Sequence, residues 1–101
     1  MREKLSTKFL VNAKSVELNP FVNDFLAQIT IGAAKSLRGV DYIKRVEMHR
    51  EYDDLTVKVN GEDVSITPFP IGIISSTIIG LASILKGVDN VESFTINVEV
   101  G

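Results

Sequence analysis

The chain has 101 residues, 45% of them hydrophobic and 24% charged, with a net charge of -2 and no cysteine. That is enough for one hydrophobic core and too little for two, and the composition argues against disorder or low complexity. Lacking cysteine, the chain has no disulfide, no thiolate metal site and no cysteine nucleophile; lacking a basic stripe or an aromatic platform, it has no nucleic-acid footprint.

The opening MREKLSTKFL is charged and has no apolar core segment, so no signal peptide is expected and the reading is a cytoplasmic protein. From there the chain repeats itself. With residue 11 set over residue 59 and carried without a gap to 41 over 89, 12 of 31 pairs are identical. They include Asn12/Asn60, Pro20/Pro68, Phe21/Phe69, Gly32/Gly80 and the Gly-Val-Asp runs 39–41 and 87–89. Composition alone gives roughly two. A repeat defines the building unit, and two copies suggest half-domains of about 5–52 and 53–101 closing one core around a pseudo-two-fold axis.

In the first unit, Asn12-Ala13 stands where a hairpin turn is expected, but alanine resists positive φ, so a looser turn is predicted. Asn19-Pro20 then reads as an N-cap followed by proline in the first helical turn. The helix runs to Arg38-Gly39, a cation in the last turn and then a left-handed cap. Its polar stripe of Asp24, Gln28, Lys35 and Arg38 lies opposite Phe25, Leu26, Ile29 and Leu37, as on an ordinary surface helix. A strand follows in which Val46, Met48, Arg50 and Tyr52 face one way, and Tyr52-Asp53-Asp54-Leu55 turns into the second unit.

There Leu55–Val59 alternates, Asn60-Gly61 turns, and Val64-Ser65-Ile66 alternates back. A two-residue turn pairs Val57 with Val64 and Leu55 with Ile66 inside, and Lys58 with Asp63 and Thr56 with Ser65 outside. Thr67-Pro68 opens the second helix, which runs to Lys86-Gly87, and Phe94, Ile96, Val98 and Val100 mark the inner face of the last strand. The fold expected is α+β, an internally duplicated ββαβ-ββαβ with a mostly antiparallel sheet and both helices on one face. If each hairpin merges into one long bulged strand, the order becomes the βαββαβ of a ferredoxin-like fold.

LKGVDNVESFTINVEV, residues 85–100, resembles the helix-to-strand passage of small heavy-metal-associated and amino-acid-sensing regulatory domains. The likeness covers a glycine cap and an alternating strand. The CxxC loop of the metal-binding family is absent, so its function does not carry over and no cofactor is expected.

The second helix departs from the first in one respect. From Pro68 to Leu85 there is no charge. A helix that is apolar or small all round is covered on both sides, and a two-layer domain covers one. A second copy is the economical cover, which predicts a homodimer through residues 69–86 with Ile71, Gly72, Ser75, Ser76, Ile79 and Ser83 at the contact. A pocket between the helices for an apolar ligand is an alternative, and burial within the monomer another. Prolines, glycines and Ser/Thr in the segment argue against a membrane span.

His49, the one histidine, shares a strand face with Glu47 and Glu51, but residues two apart on a strand splay instead of converging on a metal. Asp53-Asp54 and Glu62-Asp63 are turn carboxylates. Arg50 corresponds to Val98, an inward position, and could anchor a carboxylate ligand or a partner chain. No nucleophile–base set and no phosphate loop appears. The expectation is a non-enzymatic interaction or assembly module; the alternative is a regulatory domain that binds a carboxylate or apolar metabolite.

Overall fold

A computed structural model describes residues 4–38, 42–85 and 90–101. In chain order the elements are strands β1 (Leu5–Val11) and β2 (Lys14–Ser15), helix α1 (Pro20–Arg38), strands β3 (Arg45–Glu51), β4 (Asp54–Val59) and β5 (Glu62–Val64), helix α2 (Pro68–Ile84) and strand β6 (Ser93–Val100). The chain is α+β. All six strands join one antiparallel sheet in the order β2-β1-β6-β3-β4-β5.

Alternation along the strands decides which side of the sheet is covered. Phe9, Val11, Val46, Met48, Val57, Phe94, Ile96 and Val98 are buried, while Lys8, His49, Thr56 and Lys58 between them are exposed. The buried side of the sheet forms one cluster with Leu26, Ala27 and Ala34 of α1 and Ile74, Ile78 and Ala82 of α2. One sheet layer and one helix layer account for a short dimension of 18 Å.

The register has a regular feature. β3 pairs with β6 so that Met48 faces Ile96, its own position moved on by 48, and the whole pairing reads the same after that shift. β1 pairs with β6 through Thr7↔Val98 and Phe9↔Ile96, and β4 pairs with β3 through Leu55↔Arg50 and Val57↔Met48, which are the same pairs displaced by 48.

Asn60 (φ 53°) and Gly61 (φ 85°) form the two-residue left-handed turn expected between β4 and β5, with Val57 opposite Val64 and Lys58 opposite Asp63. β5 ends at Val64, so the expected pairing of Leu55 with Ile66 does not form. Asn12 (φ 51°) and Ala13 (φ 67°) make the same tight turn between β1 and β2, contrary to the looser one expected, with Leu10 opposite Ser15 and Val11 opposite Lys14. The strain at Ala13 is held by long-range bonds from Asn12, given below.

Pro20 opens α1, and the Val22 N–H donates to Asn19 Oδ1 at 2.8 Å, the N-cap bond the sequence anticipates. Thr67 precedes Pro68 in extended conformation without a side-chain cap bond. α2 stops at Ile84, short of Lys86, because Leu85 is already extended (φ -73°, ψ 142°) and its N–H turns back to the Ala82 carbonyl. The glycine caps expected at Gly39 and Gly87 lie outside the described residues. Tyr52 does not continue the inner face of β3: it occupies the β3–β4 turn with φ 56° and is exposed.

Candidate functional site

Two features of the helix layer are not explained by folding alone: the outward face of α2 and a cleft between the helices. On α2, Phe69, Ile73 and Ile84 are 78%, 52% and 81% exposed. They fall on one helical stripe with Ser76 and Gly80, flanked by exposed Gly72 and Ser83. A Cβ placed on Gly72 or Gly80 would meet nothing within 4 Å. Glycine in a helix interior costs about 1 kcal/mol relative to alanine, and here no neighbour among the described residues requires it. On α1 the corresponding stripe carries Phe21 and Phe25, both exposed and stacked with ring centroids 5.6 Å apart, and the equally unobstructed Gly32.

Of the six residues expected at an interface, Gly72, Ser76 and Ser83 are exposed, Ile71 and Ile79 are half-buried against the core, and Ser75 is 6% exposed. Ser75 therefore belongs to the inner side of α2. The outward surface is carried instead by Phe69, Ile73 and Ile84, whose exposure a uniformly uncharged helix does not announce, since no polar stripe marks its outer side. The helical step of three and four gives that signal only once the buried positions are known.

The cleft between the helices is floored by Met48 of β3 and walled by Ile29, Thr30 and Ala33 of α1 and by Ile73, Ile74, Thr77 and Ile78 of α2. It encloses about 90 Å³, is half-open to solvent and is almost wholly apolar. Thr30 is 0% exposed and its hydroxyl has no hydrogen-bond partner.

Arg50 lies on the inner side of β3, between Phe94 of β6 and Leu55 of β4. It is half-buried, and its Nε is buried without a partner. His49 sits on the opposite, exposed side with its Nδ1 2.8 Å from Thr95 Oγ1. Glu47 and Glu51 share that side as the alternation requires, and among the described residues no three His, Asp or Glu side chains are grouped to hold a metal ion.

In the sequence Asn12 and Asn60 signal only turns; in the fold their side chains reach further. Asn60 Oδ1 accepts the N–H groups of Lys44 and Arg45 at 2.8 and 3.0 Å, and its Nδ2 donates to the Tyr42 carbonyl at 2.9 Å. Asn12 Oδ1 accepts those of Glu92 and Ser93 at 2.8 and 3.1 Å, and its Nδ2 donates to the Asn90 carbonyl at 2.8 Å.

No known protein family, curated protein or solved structure matches the chain. Among the described residues, no helix is long and apolar enough to cross a membrane.

Proposed function

We propose that the protein is a non-enzymatic interaction module that self-associates through the outward face of α2, extended by Phe21 and Phe25 of α1. The observation that carries the reading is one uncharged helix that holds Phe69 and Ile73 in solvent and places Gly72 and Gly80 where its own chain leaves open space. Exposed aromatic and aliphatic side chains gain by burial, about 25 cal/mol for each Å² removed from water. Glycines beside them let a second backbone approach. A face with no charge offers nothing to select a charged partner, and an isologous contact needs only that the patch fit itself. Sedimentation velocity over a range of protein concentrations tests this: a dimer for the wild type and a monomer for Ser76→Lys support the reading, and a wild-type monomer throughout rejects it.

The chain is further proposed to be two ββαβ units, about 5–52 and 53–101, related by a pseudo-two-fold axis through the Met48–Ile96 pair. Supporting this are the 12 identities at an offset of 48, the coincidence of strand registers under the same shift, and the matched bonding of Asn12 and Asn60. A second, self-associating two-fold on the helix side would be in keeping with such an arrangement.

A second reading has one observation behind it. The unpartnered, buried Nε of Arg50 suits a regulatory domain that takes a carboxylate. Thermal stability in the presence of small mono- and dicarboxylates separates the two: an increase that disappears in Arg50→Val favours ligand binding, while an unaffected midpoint leaves the interaction module.

A further inference from the structure

Asn60 and Gly61, the two turn residues between β4 and β5, form a reactive pair. In an Asn-Gly sequence the glycine nitrogen can attack the asparagine Cγ, because a residue without a Cβ leaves that approach open and the backbone free to adopt it. Both residues are exposed, so water and base reach them. The first hairpin supplies a comparison within the same chain. Asn12 occupies the same left-handed turn position, but Ala13 follows it where Gly61 follows Asn60.

Attack requires the Asn60 amide to turn its face to the Gly61 nitrogen. In the fold that amide is tied to the segment leading into β3: Oδ1 accepts the Lys44 and Arg45 N–H groups, and Nδ2 donates to the Tyr42 carbonyl. The Asn60 N–H itself donates to the Arg45 carbonyl at 2.8 Å. Ring closure breaks the side-chain bonds together, so it waits on opening of the turn. The two N–H groups on Oδ1 also polarise the amide, as in an oxyanion hole. Polarisation accelerates only an attack that the geometry permits, and here the tie opposes it.

We propose that Asn60 is a self-modification site, closed by the fold and exposed to reaction when the β4–β5 turn opens. In the open turn the deprotonated Gly61 nitrogen bonds to Asn60 Cγ, the Cγ–Nδ2 bond breaks and ammonia leaves, which gives a succinimide. Water then opens the ring at either carbonyl and yields aspartate or isoaspartate; base and water are the only co-reactants. Neither product restores the clamp. Aspartate has no proton to donate to the Tyr42 carbonyl and sets an anionic oxygen against it. Isoaspartate routes the main chain through the former side chain, adding a carbon to a two-residue turn that sets Val59 opposite Glu62. Opening therefore becomes irreversible, and the start of β3 loses its tie. The modified chain is marked as one that has opened. The inference does not depend on self-association.

The test is peptide mapping by mass spectrometry of the wild type, Gly61→Ala and Ala13→Gly after incubation at mildly alkaline pH, in buffer and in guanidinium chloride. In denaturant the wild type should convert Asn60 and leave Asn12 largely intact, Gly61→Ala should convert neither, and Ala13→Gly should convert both. That comparison does not depend on either variant folding. In buffer, wild-type conversion at Asn60 should be slower than in denaturant by about tenfold or more, because only the open fraction reacts. Converted wild type, returned to buffer, should unfold at a lower urea midpoint than unconverted protein. Equal conversion of Asn12 and Asn60 in the denatured wild type, or none at Asn60, overturns the site. Conversion in buffer as fast as in denaturant overturns gating by the fold, and an unchanged urea midpoint after conversion overturns loss of the clamp.

Discussion

Asn12 and Asn60, 48 positions apart, make the same three side-chain hydrogen bonds, each to the segment that leads into a central strand. One holds Asn90, Glu92 and Ser93 at the start of β6, the other Tyr42, Lys44 and Arg45 at the start of β3. Each thus ties a hairpin turn to the strand that the adjoining hairpin pairs with. Both residues have positive φ, which asparagine tolerates better than most. Replacing either by alanine removes the bonds and strains the turn, so Asn12→Ala and Asn60→Ala should each lower unfolding free energy by about 1–3 kcal/mol. The two losses should be nearly additive because the sites share no partner. Urea denaturation measures both; a negligible loss at either would refute the clamp.

Ala13 follows Asn12 in the left-handed region at φ 67°, where the equivalent position is Gly61 at φ 85°. A left-handed alanine carries a steric cost that glycine lacks. Ala13→Gly should therefore raise stability by about 0.5–1 kcal/mol, the larger freedom of glycine in the unfolded chain offsetting part of the relief. A shift of the urea midpoint to lower concentration would contradict this.

Ser75 buries an unpartnered hydroxyl where the first half of the sequence has Ala27. Deleting it removes a desolvated polar atom and substitutes the best helix former. Ser75→Ala should stabilise the protein by about 1 kcal/mol, seen as a higher thermal midpoint; a clear loss would show that the hydroxyl is bonded in solution.

Asn23 seals part of the β1 edge from α1. Its Oδ1 accepts the Thr7 N–H and its Nδ2 donates to the Leu5 carbonyl, both at 3.1 Å, and Thr7 Oγ1 donates to its backbone carbonyl. Ile71 stands at the corresponding place in α2 and has no polar atom to offer. Asn23→Ala should cost about 1–2 kcal/mol and selectively accelerate hydrogen exchange at the Thr7 amide, while the Lys8 and Leu10 amides on the β6 side keep their protection.

Much of this was legible in the sequence wherever local chemistry and period agreed. Alternation placed Val57, Val64, Phe94, Ile96 and Val98 inside, Asn60-Gly61 fixed a hairpin and its register, and Pro20 and Pro68 located both helix starts. The inward side of Arg50 follows from its match to Val98. What escaped was set at a distance or by the lack of contrast. The turn at Ala13 is held by bonds from Asn12 to residues 78 to 81 positions away, which no local propensity contains. Along α2, small and apolar residues occupy every side, so periodicity could not separate the buried Ser75 from the exposed Ile73 and Phe69. Nor does the sequence reveal that Thr30 lacks the back-bond that Thr77 makes.

The most direct test of self-association is light scattering after gel filtration on the wild type and Gly80→Lys, paired with each protein's circular dichroism. Position 80 is exposed with open space around it, and lysine improves on glycine in a helix by about 0.5–1 kcal/mol, so the substitution should not harm the monomer. The account predicts a dimer for the wild type and a folded monomer for Gly80→Lys. A wild-type monomer, or a lysine variant that still runs as a dimer, would contradict it.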